Sequence, residues 1–179
     1  GLITNFTDAF FESMSGFTTT GCTVIADTEA IPRATLLWRC MSQWLGGLGI
    51  VFFTVAVLPM FGFSGVQLFA AEATGYAKKK ANPRVAISAR WILTVYISLT
   101  ILCAIALWLC GMQPFEAICH GLTTISTGGF STRNESIASF DSIPMEWVLV
   151  FFMFVGGINY TLIYLAVVKG RIRDMLRSS

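Results

Sequence analysis

Thr18-Thr19-Thr20-Gly21-Cys22-Thr23 closes a run of 14 uncharged residues between Glu12 and Asp27, and Ile125-Ser126-Thr127-Gly128-Gly129-Phe130-Ser131-Thr132 closes a run of 16 between Glu116 and Arg133. Both runs are too short to cross a bilayer, which needs roughly 20 apolar residues. Both are also too apolar for free external loops. Each begins like a helix. Phe6, Ala9, Phe10, Ser13, Met14 and Phe17 repeat at helical spacing in the first, and Phe115, Ala117, Ile118 and Leu122 do so in the second. Asn5 or Thr7 suits a helix N-cap, and Pro114 suits a first helical turn. Asp8 and Glu116 stand near the starts, where a negative charge favours the helix dipole. The second half of each run is rich in Thr, Ser and Gly. The pattern predicts two half-helices that enter the membrane and return as Thr/Gly strands.

The two segments are copies of one another. A gapless shift of 108 pairs Asp8 with Glu116, Ala9 with Ala117, Met14 with Leu122, Thr18 with Ser126, Thr19 with Thr127, Gly21 with Gly129 and Thr23 with Ser131. Trp44-Leu45-Gly46-Gly47 resembles Phe154-Val155-Gly156-Gly157 at a shift of 110. The repeated unit reads as helix, half-helix plus strand, helix. Residues 1–63 form a partial first unit without its opening helix, and residues 85–170 form a complete second one. Gly1 is not an initiator methionine, and no signal peptide opens the chain, so a piece of a longer protein is expected.

Outward from these segments the composition is that of a membrane protein. Hydrophobic residues make up 55% of the 179 residues and charged residues 12%, with a net charge of +2. Soluble domains carry about 25% charged residues. Mean hydropathy is +0.70. A soluble enzyme, a nucleic-acid binder and a disordered segment are all disfavoured. Three uncharged stretches, 40–71, 91–115 and 147–168, are long enough to span, the first placed at about 38–60. The expected fold is an all-α membrane protein with three transmembrane helices and two re-entrant half-helices. Lys78, Lys79, Lys80, Arg84 and Arg90 follow the first span, and Lys169, Arg171, Arg173 and Arg177 follow the third. Together they are 9 of the 12 basic residues. Three crossings put both clusters on one side, and the positive-inside rule makes that side the cytoplasm. A cytoplasmic loop at 64–84 (the basic face extending to 90) and a cytoplasmic tail at 171–179 (basic from 169) are expected. Asp27, Glu29, Glu135 and Asp141 lie on the other side.

Such a unit has a chemistry. Non-helical backbone at membrane depth is tolerated where it lines water or is buried in protein. A Thr/Gly strand offers a row of backbone carbonyls that can replace the water around a cation. Gly accepts a positive φ, so it lets successive carbonyls turn toward an axis. Thr adds a hydroxyl and a stiff side chain. The C-terminal end of each half-helix carries partial negative charge, which also favours a cation. No acidic residue lies within either run. Neutral dipoles suit a weakly hydrated monovalent ion better than Ca²⁺, which prefers carboxylates.

Phe-Glu-Ser-Met-Ser-Gly-Phe-Thr-Thr-Thr-Gly (11–21), Gln-Trp-Leu-Gly-Gly-Leu-Gly-Ile (43–50) and Thr-Thr-Ile-Ser-Thr-Gly-Gly-Phe-Ser-Thr (123–132) closely resemble the Trk/Ktr/HKT potassium transporters, most of all the bacterial TrkH/TrkG branch. The resemblance covers essentially the whole chain. It implies helix–pore-loop–helix repeats, four to a complete protein, so the remaining repeats would be partners in one filter. It implies inward K⁺ transport across the bacterial inner membrane by a homodimer, regulated by a cytosolic nucleotide-binding ring subunit of the TrkA type. Carried over, Gly21 and Gly129 match the filter glycines, with Thr18, Thr19, Thr20, Ser126, Thr127 and Gly128 as carbonyl or hydroxyl donors to K⁺. In plant relatives a Ser at the first filter position goes with Na⁺, so Gly21 points to K⁺. Gly128-Gly129 offers two candidates for the critical turn, and the gapless register favours Gly129.

Plainer readings stand beside these. Gly46, Gly47, Gly49, Gly156 and Gly157 read as close-packing positions between helices. His120 reads as a hydrogen-bonded structural group, with no metal-ligand spacing around it. Cys22, Cys40, Cys103, Cys110 and Cys119 read as small apolar residues, with Cys22 next to the strand. Asn159 is polar inside a span. Arg39 either pairs with Glu12 or snorkels. Lys78, Lys79 and Lys80 read as interface anchors. The competing functional class is an intramembrane enzyme using His120 with Glu116 or Ser126. No nucleophile or substrate pocket accompanies that trio, and no enzyme is expected.

Overall fold

A computed structural model describes residues 5–56 and 83–158. The described residues are helical, without β-ladders. In order they form α1 (Phe6–Phe17), α2 (Arg33–Ala56), α3 (Pro83–Leu109), α4 (Pro114–Ile125), a 3₁₀ turn (Ser136–Phe140) and α5 (Ile143–Gly157). α1 and α4 are the two half-helices. Both have 12 residues, and their bounds differ by the same 108 positions as the sequence copies.

The local reasons are legible. Asn5 caps α1, its Oδ1 accepting the Thr7 N–H at 3.1 Å. Pro114 opens α4, and Asp8 and Glu116 lie in the first turns. α3 is the described helix that is long and apolar enough to cross, over Arg90–Leu109. Its buried stripe runs Ile92, Tyr96, Cys103, Leu107 at helical spacing, while Ile97, Ile101, Leu102, Ile105 and Trp108 remain exposed for lipid. α2 has 24 residues, about 36 Å at 1.5 Å per residue. α5 is apolar but has only 15 described residues.

α4 lies at the centre, against α2, α3 and α5, while α1 packs on α2. Glycines let the backbones close. A Cβ on Gly46 would strike the Phe17 backbone, one on Gly47 would come within 2.9 Å of the Ser126 Cβ, and one on Gly156 within 3.1 Å of the Ile125 carbonyl. α2 thus seats the C-terminal ends of both half-helices. Gly156 holds Ile125 as Gly46 holds Phe17, so the weaker shift of 110 also corresponds to packing. Trp44 ties α2 to α3: its Nε1 donates to Thr100 Oγ1 at 3.0 Å, and Tyr96 donates to the Trp44 carbonyl at 3.0 Å.

Several helix limits differ from expectation. α2 begins at Arg33 rather than about 38, directly after Pro32. α3 begins at Pro83 rather than 91 and ends at Leu109 rather than 115, where Gly111 turns the chain with φ +100°. α5 begins at Ile143 with Pro144 in its first turn, ahead of 147. A window free of charge marks where lipid begins, not where hydrogen bonding begins. Residues 57–82, Asn159 and the basic tail lie outside the described residues, and with them most of the expected loop at 64–84 and all of 171–179.

The connections that follow the two half-helices are joined by Asn134. Its Oδ1 accepts the Thr28 N–H and hydroxyl, each at 2.7 Å, and its Nδ2 donates to Asp27 at 3.0 Å. Thr28 is buried. Asn134→Ala is expected to cost about 1–2 kcal/mol through the two bonds to Thr28, read as a lower thermal midpoint. The Asn134 amide also holds the Asp27 carboxyl below its ordinary value. A carboxyl depressed in the folded state contributes stability above its unfolded pKa of about 3.9 and loses it as pH falls through the folded value. The Asp27 contribution is therefore intact at neutral pH and disappears in acid.

Candidate functional site

Each half-helix ends in the same device. Thr18 donates its N–H to the Met14 carbonyl, Thr19 to Gly16 and Thr20 to Ser15, at 2.8–3.0 Å. Ser126, Thr127 and Gly128 donate to Leu122, Thr124 and Thr123, at 2.8–3.4 Å. Every donor and every acceptor is displaced by 108. These are Schellman ends, in which the residue after the cap is left-handed and ordinarily glycine. Here it is threonine: Thr19 has φ +57° and Thr127 +52°. A β-branched residue in that region is strained. Two residues on, Gly21 has φ +80° and Gly129 +89°. Gly128 is not left-handed, so of the adjacent glycines only Gly129 carries the positive φ.

The consequence concerns the carbonyls. With the N–H groups of residues 18–21 and 126–128 turned back onto their half-helices, trans peptide geometry sends the intervening carbonyls the other way. Among the described residues, none donates a hydrogen bond to the carbonyls of Thr18, Thr19, Thr20, Gly21, Ser126, Thr127 or Gly129. Gly128 differs, because its carbonyl accepts from Gln43 Nε2 at 3.0 Å. Three of the hydroxyls, those of Thr18, Thr20 and Ser126, are engaged: Thr18 Oγ1 donates to Met14 at 2.6 Å, and Ser126 Oγ donates to Leu122 and Thr123. Thr20 Oγ1 lies 2.8 Å from Thr18 Oγ1.

The two strands meet. Thr19, Ser126 and Thr127 line a cavity of about 130 Å³ with Gly47, and Gly21 and Gly129 line one of about 140 Å³ with Thr23 and Ser131. Equivalent residues of the two copies thus face shared space at both ends of the strand.

Behind each strand one buried side chain grips its return. Glu12 accepts from the Thr23 hydroxyl at 3.0 Å and the Val24 N–H at 3.1 Å. The equivalent of Glu12 is His120, and the equivalent of Thr23 is Ser131; His120 Nε2 lies 3.1 Å from Ser131 Oγ. Arg39 pairs with Glu12 at 2.7 Å rather than snorkelling, and its guanidinium lies 4.3 Å from the Phe130 ring centroid. The sequence signal for this clamp is the shared shift of 108, which nonetheless pairs a carboxylate with an imidazole.

The enzymatic trio does not assemble. His120 Nδ1 contacts the Glu116 backbone carbonyl at 2.9 Å, while the Glu116 carboxylate is held by Arg133 at 2.7 Å. The Ser126 hydroxyl points back into its helix. No group of three His, Cys, Asp or Glu suited to a metal occurs among the described residues. Cys40, Cys103 and Cys119 are buried and free, and Cys22 is exposed beside Gly21.

The TrkH model, described as a cation transport protein, matches residues 2–178. The chain belongs to the TrkH family. It is therefore a membrane protein. The chain is 47% identical over 165 residues to the Trk system potassium uptake protein TrkH of Vibrio parahaemolyticus, covering 92% of this chain and 34% of that one. It is 45% identical to TrkH of Escherichia coli K12 (92% and 34%) and 42% identical to TrkG of the same organism (96% and 36%). The chain spans about a third of the length of these curated relatives. Its fold matches the crystal structure of the potassium transporter TrkH from Vibrio parahaemolyticus with a TM-score of 0.80 and 42% identity, over 93% of this chain and 32% of that chain. The TrkH resemblance and the helix–pore-loop–helix fold expected from the sequence both hold.

Proposed function

We propose that this chain contributes two of the filter strands of a Trk-type potassium uptake protein. The carbonyls of Thr18, Thr19, Thr20, Gly21, Ser126, Thr127 and Gly129 take the place of water around K⁺. The observation that carries the reading is the row of carbonyls without donors among the described residues, in the same register in both copies. Gly128 anchors its strand to α2 instead of facing the ion. The carboxylate that grips the return of the first strand, Glu12, is paired with Arg39 at 2.7 Å, so selection rests on neutral dipoles. The protein is not an enzyme on this reading, and K⁺ is its cargo. Further repeats of the full-length protein close the filter. The relatives' names, which place them in a Trk system, support further subunits; a homodimer in the bacterial inner membrane, regulated by a cytosolic TrkA-type nucleotide-binding subunit, is what the family resemblance implies. The basic segments at 64–90 and 169–179 face the cytoplasm by the positive-inside rule.

The test is Gly129→Ser in the full-length protein. A side chain at φ +89° costs about 1–2 kcal/mol in the left-handed region, enough to weaken K⁺ over Na⁺ discrimination about tenfold. Flux measurements with both ions read it. Unchanged discrimination rejects the assignment.

A further inference from the structure

Gln43 belongs to α2, the closing helix of the first repeat, and is completely buried at 0% exposed. Its amide crosses to the strand of the second repeat. Nε2 donates to the Gly128 carbonyl at 3.0 Å, and Oε1 accepts the Phe130 N–H at 3.1 Å. Only one orientation of the amide satisfies both bonds, so the oxygen and nitrogen are assigned by the network. The two contacts flank Gly129.

The peptide plane between Gly129 and Phe130 carries both the Phe130 N–H and the Gly129 carbonyl. In a trans peptide these point in opposite directions. By accepting the Phe130 N–H, Gln43 aims the Gly129 carbonyl away from α2, toward the open side of the strand. By donating to Gly128, it draws the preceding carbonyl the other way. The adjacent glycines therefore have different reasons. Gly129 is required by its φ, while a Cβ on Gly128 would strike the Gln43 amide. At the shift of 110 that relates the closing helices, the second copy has Met153 where the first has Gln43, and a thioether cannot supply the same pair of bonds.

We propose that Gln43 is a positioning residue for ion selectivity, holding the peptides on either side of Gly129 so that its carbonyl keeps one direction. The proposal rests on the ion-path reading above. Its test is K⁺ and Na⁺ flux in the full-length protein carrying Gln43→Leu, which fills similar volume without either bond. Loss of one to two hydrogen bonds predicts a roughly 3- to 10-fold fall in K⁺ over Na⁺ discrimination, with K⁺ transport retained. A mutant cycle adds a readout that general loosening would not move. Gly128→Ala alone should lower discrimination by displacing the amide. On a Gln43→Ala background, where there is room, it should add nothing. Additive losses overturn the proposal. So does wild-type discrimination in Gln43→Leu while Gly129→Ser is impaired in the same assay, which leaves the ion path standing. Wild-type discrimination in every variant, Gly129→Ser included, overturns both. If Gln43→Leu does not reach the membrane, the cycle decides.

Discussion

Arg39→Met is expected to destabilise the protein by about 3–5 kcal/mol, the range seen when one partner of a buried ion pair is removed. Arg39 and Glu12 are only 5% and 6% exposed. The guanidinium gives Nε at 2.9 Å and Nη2 at 2.7 Å to one Glu12 oxygen, and Nη2 at 3.0 Å to Thr23. Without it the carboxylate keeps only the Thr23 hydroxyl and the Val24 N–H, with no compensating charge. The damage should reach the second repeat, because the same guanidinium stacks on Phe130. Thermal unfolding of the detergent-purified protein reads the loss. Arg39→Lys should recover only part, since an ammonium lacks the planar fork and stacks poorly. The decisive comparison is Arg39→Met with Glu12→Gln. The neutral amide still accepts from Thr23 and Val24, so the double variant should be more stable than Arg39→Met alone. A double variant no better than the single one would mean that the cost comes from lost packing rather than from a stranded charge.

That pair also shows where the sequence could be read and where it could not. The half-helices were legible because two constraints coincide: a run too short to span and too apolar to be a loop, twice, at one spacing. The agreement extends to dihedral angles, with Thr19 and Thr127, and Gly21 and Gly129, left-handed in register. Helix limits were less legible. An uncharged stretch does not mark a helix end: α2 starts at Arg33, ahead of the expected 38, and carries Arg39, paired with a residue 27 positions away. Long-range pairing leaves no local trace. The inward face of α1 was hidden for a related reason. Phe6, Phe10, Met14 and Phe17 are exposed, whereas Glu12, Ser15 and Gly16 are buried. Where the outer solvent is lipid, apolar periodicity identifies a helix without saying which face meets protein. Gln43 shows the same limit. An amide in an apolar helix announces a buried bond, but its partners come 85 and 87 residues later.

Gly21→Ser should be far more damaging than Gly129→Ser, although the two positions are equivalent in the repeat and nearly identical in φ. Both substitutions carry the left-handed cost of about 1–2 kcal/mol. They differ in what the new side chain meets. At Gly129 a Cβ has no atom within 4 Å; at Gly21 it would collide with the Gly128 carbonyl and come within 3.4 Å of the Gly129 Cα. Backbone cannot rotate aside as a side chain can, and the carbonyl it would strike is itself held by Gln43 Nε2 at 3.0 Å. The second strand would have to move, adding about 1–3 kcal/mol of overpacking. Gly129→Ser is thus expected to yield a folded protein with altered ion preference, and Gly21→Ser a protein with a lowered unfolding temperature and little K⁺ uptake. Membrane abundance, thermal midpoint and uptake, measured on both, separate the cases. Matching behaviour would show that the first strand does not press on the second as the geometry requires. The asymmetry follows from the way one repeat leans on the next: the first strand packs against an anchored neighbour, and at Gly129 the second presents an open face.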